Sequence, residues 1–207
     1  MQEISKKQYI NNPCASLPTA YWKSIEYPVP ENMKIFHERD YDGSNNATKY
    51  FRLLHNLSNI ESFTNNDFEF RNVNIEAQKD IVAQILSKCY DRKYSIDFVE
   101  NMTKTRVFDS ELWIFLIEKK TLQLVALGIA DFDKEISEGS LEWIQVLPSK
   151  RGLGLGKLLV SELLIRLKDK ADFVTVSGEI DNKTKPEALY RKCGFTGDDI
   201  WYVMRTE

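Results

Sequence analysis

Hydrophobic and polar positions follow two periods along the second two thirds of the chain. Residues 67–75 alternate as in a strand, and Ala77, Ile81, Ile85 and Cys89 then recur at helical spacing. Asn74 is a candidate N-cap for that helix. A second, shorter helix is predicted over 95–102. Apolar runs at 112–118 and 122–133, joined by two lysines, predict a hairpin.

The pattern continues with a third apolar strand over 141–147, which leads into a glycine-rich segment. The helix after it places four leucines in one line, and they are Leu155, Leu159, Leu163 and Leu167. An apolar strand follows at 173–177, and another helix is predicted to begin near Lys185 or Pro186, since proline is accepted in a first turn. This order predicts a mixed α+β fold.

The first third of the chain is less regular. Residues 1–66 are rich in Asn pairs and prolines, and Met33–Phe36 is a candidate short strand. Tyr50, Leu53, Leu54 and Leu57 recur at helical spacing, so a helix is predicted from about residue 47 to 57. The segment is too apolar for a free tail. We therefore expect residues 1–66 to be an N-terminal extension that packs on a domain formed by 67–207.

Composition excludes several classes of protein. The 207 residues are 43% hydrophobic and 29% charged, with a formal net charge of −3, so a general nucleic-acid binder is not expected. No apolar run has the roughly 18–20 residues of a membrane span, and the first residues lack a signal-peptide core. Cys14, Cys89 and Cys193 form no C-x-x-C pair, which favours a reducing cytoplasm and no metal site.

The segment around Gly152, Gly154 and Gly156 has the composition of an anion-binding loop. Glycines let backbone N–H groups approach an anion, and a helix that begins there adds the positive end of its dipole. Gly156-Lys157 lacks the Ser or Thr and the first glycine of a Walker A loop, and Lys157 stands at the third glycine of a dinucleotide fingerprint. An ordinary strand-to-helix turn remains the alternative.

Two motifs together resemble the GNAT superfamily of acyl-CoA-dependent N-acyltransferases. They are Arg151-x-x-Gly154-x-Gly156 and the later Leu189-Tyr190-x-x-x-Gly194-Phe195, each behind a predicted strand. The resemblance covers roughly 67–207. It implies a mixed central sheet, flanked by helices, that splays open beside the glycine loop and receives the pantetheine arm of acetyl-CoA as cosubstrate.

The resemblance also assigns residues to that cosubstrate. Backbone N–H groups of Gly152, Leu153, Gly154 and Gly156 would bind the pyrophosphate. Arg151 would shape the turn or add charge, and Lys157 would pair with a phosphate or point to solvent. Backbone groups of Ile144 and Val146 would bind the pantetheine amides as a substitute strand.

Two side chains are candidates for catalysis. Glu142 would remove a proton from the acceptor amine or position it, and by strand alternation its side chain should share a face with Ile144 and Val146. Its alternatives are a position in water or a pair with Lys or Arg. Tyr190 matches the tyrosine of the superfamily motif and would protonate the leaving thiolate, the alternative being a packing role.

Other residues carry weaker hypotheses. Asn182 lies one residue before the place where the superfamily commonly has Asn, so a contact with CoA is not assigned to it. Acidic residues before the glycine loop form either a rim that attracts a cation or a solvated hairpin end, and they are Asp131, Asp133, Glu135, Glu138 and Glu142. Four aromatic residues line an acceptor pocket or the core, and they are Trp113, Trp143, Trp201 and Tyr202. Cys193 is expected to be a buried thiol.

The function implied is a cytoplasmic N-acetyltransferase that moves an acetyl group from acetyl-CoA directly to a primary amine in a ternary complex. The acceptor would be a small molecule or a peptide, with no nucleic acid or membrane as partner. A binding module of the same fold that senses acyl-CoA without transfer is the alternative. A third option makes residues 1–66 a partner or homodimer surface.

Overall fold

The protein is described here by a computed structural model, for residues 4–43, 47–90 and 92–205. Residues 1–3, 44–46, 91 and 206–207 are outside the described residues, and so are the parts of the sequence predictions that fall on them. The helices are α1 (Lys6–Asn11), α2 (Pro13–Ser16), α3 (Tyr21–Glu26), α4 (Ile75–Tyr90), α5 (Ile96–Met102), α6 (Leu155–Leu167) and α7 (Pro186–Lys192). The strands are β1 (Met33–His37), β2 (Thr48–His55), β3 (Phe68–Asn72), β4 (Trp113–Glu118), β5 (Gln123–Asp133), β6 (Glu138–Val146), β7 (Phe173–Glu179) and β8 (Thr196–Arg205).

All these strands join one sheet of eight strands in the order β1-β8-β2-β7-β6-β5-β4-β3. Neighbours run antiparallel except for β6 and β7, which are parallel because α6 connects them. The predicted mixed α+β fold is confirmed. No helix among the described residues is long and apolar enough to span a membrane.

Two apolar clusters cover the two faces of this sheet. On one face, the leucine row of α6 packs with Tyr190 of α7 and with Ile144 and Val146 of β6. On the other face, α4 and α5 pack against Trp113 and Trp143, together with Leu147 just beyond β6. Side chains of β6 therefore point either to the face covered by α6 or to the face covered by α4 and α5. The face on which a candidate functional side chain lies follows from this division.

The helix predicted over 47–57 is wrong, because residues 48–55 form β2 between β7 and β8. Phe51, Arg52 and Leu53 are consecutive and all buried, since both faces of this inner strand are covered. A strand buried on both faces loses its alternation, which is why its leucines imitate a helical repeat. The short strand predicted over Met33–Phe36 is confirmed by β1 at the edge of the sheet.

The N-terminal helices are attached to the sheet through a buried polar network around Glu138. Its carboxylate accepts hydrogen bonds from the Tyr9 hydroxyl at 2.5 Å, the Thr175 hydroxyl at 2.6 Å and the Tyr21 N–H at 3.0 Å. The Arg52 guanidinium lies 3.4 Å from the same carboxylate. These contacts join α1 and α3 to β2, β6 and β7.

Candidate active site

The sheet opens between β6 and β7. Residues 138–141 of β6 pair with 173–176 of β7, and the register ends at Leu141 and Val176. From there β6 continues to Val146 paired with β5 alone, while β7 continues to Glu179 paired with β2 alone. A gap therefore lies beside residues 142–146, as predicted for a splayed sheet.

Backbone groups of β6 face this gap. Leu147 donates its N–H to the Val125 carbonyl at 3.0 Å, so Leu147 directs its backbone toward β5. Because the direction alternates along an antiparallel strand, Val146 and Ile144 direct their N–H and C=O groups away from β5, into the gap. The Val146 carbonyl accepts a hydrogen bond from Arg151 Nε at 3.2 Å.

The glycine loop lies at the wide end of the gap. Gly152 and Gly154 adopt φ angles of 84° and 76°, and a Cβ atom at either position would meet no atom within 4 Å. Helix α6 begins directly after Gly154, and no side chain caps its first turn. Leu153 turns an exposed side chain to solvent. The loop thus presents unblocked backbone N–H groups at a helix N-terminus.

Three neighbours of the loop have more specific positions. Gly156 permits a close helix contact, because a Cβ atom there would lie 2.9 Å from Leu189 of α7. Arg151 also reaches the Cys89 carbonyl at 3.4 Å, so its guanidinium shapes the turn. The Lys157 ammonium lies 5.1 Å above the centre of the Phe63 ring.

Glu142 occupies the point where β6 leaves β7. Trp143 pairs with Ile129 and Leu141 pairs with Ala130, which leaves Glu142 as the extra residue of a β-bulge. Its carboxylate accepts a hydrogen bond from the Ser140 hydroxyl at 3.0 Å.

The bulge overturns the predicted side-chain direction of Glu142. Gly139 faces Leu167 of α6, so Ser140, its neighbour, looks to the opposite face. The bond to Ser140 puts Glu142 on that face too, whereas Ile144 and Val146 look toward α6. A bulge shifts the alternation of side chains by one residue, and the sequence Leu-Glu-Trp-Ile contains no signal that predicts it.

Two further charges belong to the surroundings of Glu142. The Lys23 ammonium of α3 forms an ion pair with the Glu142 carboxylate. Asp131, opposite Ser140 on β5, is buried and makes no ion pair among the described residues. Burial, and secondarily the negative charge of Glu142, raise the pKa of Asp131 well above its ordinary value. The sequence carried no signal for Lys23, because no motif surrounds it.

Tyr190 approaches the gap from α7, on the α6 side. Its ring is 8% exposed and packs 6.1 Å from Phe51 and 5.7 Å from Phe195, measured between ring centres. Burial raises the pKa of the phenol, with smaller contributions from the nearby Tyr90, Cys193 and Glu142. A neutral phenol carries a proton that it can donate.

The remaining sequence hypotheses are resolved by the contacts of their residues. The acidic residues do not form an open rim, because Asp133 pairs with Arg106 and Glu135 with Lys6, while Glu138 is buried. Burial raises the pKa of the buried Cys193 thiol to about 11.

The aromatic candidates separate in the same way. Trp113 is buried in the core, and Trp201 donates its indole N–H to the Cys14 carbonyl at 2.8 Å. Tyr202 stacks on Tyr41 with ring centres 4.0 Å apart. Trp143 alone of this group lies beside Glu142, where it contacts Tyr90, Tyr94 and Phe98 of α4, the loop after it and α5.

Comparison with known proteins agrees with this geometry. Residues 109–197 match the family model described as the acetyltransferase (GNAT) domain. This part of the chain is therefore similar to a GNAT acetyltransferase domain. The match extends from the residues before β4 to the start of β8, so it includes the gap, the glycine loop and Tyr190.

Individual relatives point the same way. A ribosomal protein bS18-alanine N-acetyltransferase of Haemophilus influenzae is 29% identical over 127 residues, which cover 58% of this chain and 84% of the relative. A GCN5-related N-acetyltransferase from Sphaerobacter thermophilus superposes with a TM-score of 0.65 at 17% identity, over 78% of this chain and 52% of that longer one. The ribosomal-protein-S18-alanine N-acetyltransferase of Escherichia coli superposes with a TM-score of 0.52 at 16% identity, over 66% and 91%. These structures establish the GNAT fold.

Proposed function

We propose that the protein transfers an acetyl group from acetyl-CoA to a primary amine by direct attack in a ternary complex. The observation that carries this proposal is the convergence at one gap of three features. They are the stretch of β6 that has no strand on its β7 side, an open glycine loop at the wide end, and the side chains of Glu142 and Tyr190 at the narrow end.

The binding residues follow from this arrangement. Backbone N–H groups of Gly152, Leu153 and Gly154, with the first turn of α6, would hold the pyrophosphate, while Gly156 keeps α7 close to that turn. Lys157 would add a positive charge beside the phosphates, and Arg151 would hold the loop in place. Ile144 and Val146 would bind the pantetheine amides through their backbone groups, and the cosubstrate supplies the activated acetyl thioester.

The chemistry then requires one base and one acid. The Glu142 carboxylate would accept a proton from the acceptor ammonium, and the neutral amine would attack the thioester carbonyl carbon. As the C–N bond forms and the C–S bond breaks, the Tyr190 phenol would donate its proton to the leaving thiolate. Burial raises the pKa of Tyr190, so the phenol carries its proton before the transfer.

The acceptor is proposed to be a primary amine that enters on the side of Glu142 and Trp143. The H. influenzae relative is named for acetylation of the alanine of a ribosomal protein. This name makes a peptide N-terminus the first acceptor class to test here. An α-amine also has an ordinary pKa of about 8, compared with about 10 for lysine, so its deprotonation is less demanding.

Calorimetry combined with an acceptor panel tests the proposal. Acetyl-CoA should bind, and CoA release should require an added amine, with peptides, free amino acids and polyamines compared at equal concentration. Binding without transfer to any amine would favour the acyl-CoA sensor. Absence of binding at millimolar acetyl-CoA would overturn both readings.

A further inference from the structure

An amine of the chain itself occupies the place expected for the acceptor. The Lys23 ammonium contacts the Glu142 carboxylate, the proposed base, and its side chain is 30% exposed. The neighbouring residues fix this position, since Tyr21 donates its N–H to Glu138 at 3.0 Å and Trp22 packs against the buried Val107. Lys23 is therefore placed by folded structure and not by a free tail.

This amine also lies at the correct end of the gap. From Val146 to Glu142 the strand advances by four residues, or about 13 Å, away from the glycine loop. A pantetheine arm bound along Ile144 and Val146 would extend in the same direction, so its thioester would lie toward Glu142. Tyr190 lies on the other face of the sheet, where its ring packs on Phe51, which pairs with Gly178 beyond the point where β7 leaves β6.

We propose that Lys23 is a self-acetylation site, modified by the chain's own transfer reaction. The inference rests on the proposed function. Glu142 takes a proton from the Lys23 ammonium, and the neutral Nζ attacks the carbonyl carbon of acetyl-CoA. A C–N bond forms, the C–S bond breaks, and the CoA thiolate leaves with a proton from Tyr190. The products are Nε-acetyl-lysine at position 23 and free CoA.

Other lysines with described contacts lack this setting. Lys6 pairs with Glu135 at an exposed surface, and the Lys157 amine lies over the Phe63 ring. Neither amine has the proposed base as its partner. Acetylation of Lys23 also removes its charge and ends its ion pair with Glu142. The carboxylate then becomes available to an external amine.

Mass spectrometry after incubation with isotope-labelled acetyl-CoA tests the inference. The label should enter Lys23 at least about tenfold faster than Lys6, which serves as the uncatalysed reference. The Lys23 rate should not depend on protein concentration, because the reaction is intramolecular. K23R keeps the positive charge at Glu142 and should lose the label, whereas K6R should keep labelling at Lys23.

Two controls separate the possible failures. Tyr190→Phe should slow labelling of Lys23 and leave Lys6 unchanged, and equal labelling of Lys23 in both proteins would overturn the inference. A protein that binds acetyl-CoA and acetylates added amines, but labels Lys23 no faster than Lys6, would also overturn it and leave the proposed function standing. A protein that neither binds acetyl-CoA nor releases CoA would fail the proposed function itself.

Discussion

Two glutamates on β6, four residues apart, have opposite surroundings. Glu138 lies where β6 pairs with both neighbouring strands, and its side chain is 1% exposed, with donors from Tyr9, Tyr21 and Thr175. Glu142 lies where β7 has already turned away, its side chain is 14% exposed, and its partners are Lys23 and Ser140. The same strand thus carries a structural carboxylate in its closed half and, in its open half, the carboxylate that we propose as the base.

The difference comes from backbone pairing. In the closed half, the sheet and the N-terminal helices supply a donor for every side of the carboxylate. In the open half, the absence of a neighbouring strand leaves room for a ligand. The main partner of the Glu142 carboxylate there is the long side chain of Lys23. Substitutions in the two halves should therefore affect different properties, stability in one and turnover in the other.

The largest effect is expected from Glu138→Ala. The change removes the carboxylate partner of the buried Arg52 guanidinium and the acceptor of hydroxyl and amide donors, which typically costs about 3–5 kcal/mol. Urea denaturation followed by circular dichroism measures this loss. Glu135→Ala, on the exposed turn before β6, is the control and should leave the midpoint unchanged. Equal midpoints for both variants would contradict a structural role for Glu138.

Glu142→Gln should act on turnover. Loss of a general base commonly lowers the rate by about 100-fold or more, and the amide keeps the size of the side chain. Steady-state kinetics with the best acceptor should show the fall in kcat, while denaturation shows a midpoint near that of the parent protein. A variant that loses stability but retains kcat would place Glu142 with the structural carboxylates.

Tyr190→Phe should lower turnover by at least about tenfold, because the thiolate then leaves without a proton donor. The aromatic packing on Phe51 and Phe195 is preserved, so acetyl-CoA affinity should stay nearly constant in calorimetry. Tyr202→Phe, on β8, is the matched control. Unchanged turnover in Tyr190→Phe would remove this residue from the mechanism.

Gly154→Ala should weaken acetyl-CoA binding by about tenfold. A side chain strains the positive φ angle of 76° by about 1–2 kcal/mol, and a loop that relaxes presents its N–H groups differently. Gly43 has nearly the same φ angle, 77°, and no atom within 4 Å of an added Cβ, and Gly43→Ala is therefore the control. Equal loss of affinity in both would argue against the loop as the anion site.

The smallest effect concerns pH and Asp131. A carboxyl group whose pKa is raised by folding holds its proton longer in the native state, so it lowers stability as pH rises from about 3.8 to the folded pKa. Asp131→Asn should remove this fall, and its stability relative to the parent should increase with pH. Urea denaturation across this pH range measures the slope. A parallel pH profile for the two proteins would contradict burial of Asp131.

The regular part of the fold could be predicted because the local hydrophobic pattern there matches the burial of each side chain in the folded protein. The leucine row of α6 meets one apolar face, and the 112–133 hairpin follows alternation and turn chemistry. Residues 48–55 could not be predicted in the same way. Their burial on both sides depends on strands from the other end of the chain, and no local period encodes that.

The candidate site shows the same division. The glycine loop and Tyr190 could be predicted because each belongs to a motif with recognisable spacing in the sequence. Other features of the site arise from contacts between distant segments. They are the bulge at Glu142, the ion pair of Glu142 with Lys23 and the influence of Tyr90 on Tyr190. The residues 1–66, predicted as an extension, contribute β2 to the sheet and Lys23 to the site.

A crystal structure with acetyl-CoA tests the central claim most directly. We expect the pantetheine amides to pair with backbone groups of Ile144 and Val146, and the pyrophosphate to contact the N–H groups of residues 152–154. The thioester should lie between Glu142 and Tyr190. A pantetheine arm bound outside the gap between β6 and β7, with no partner for residues 142–146 on their β7 side, would contradict this claim.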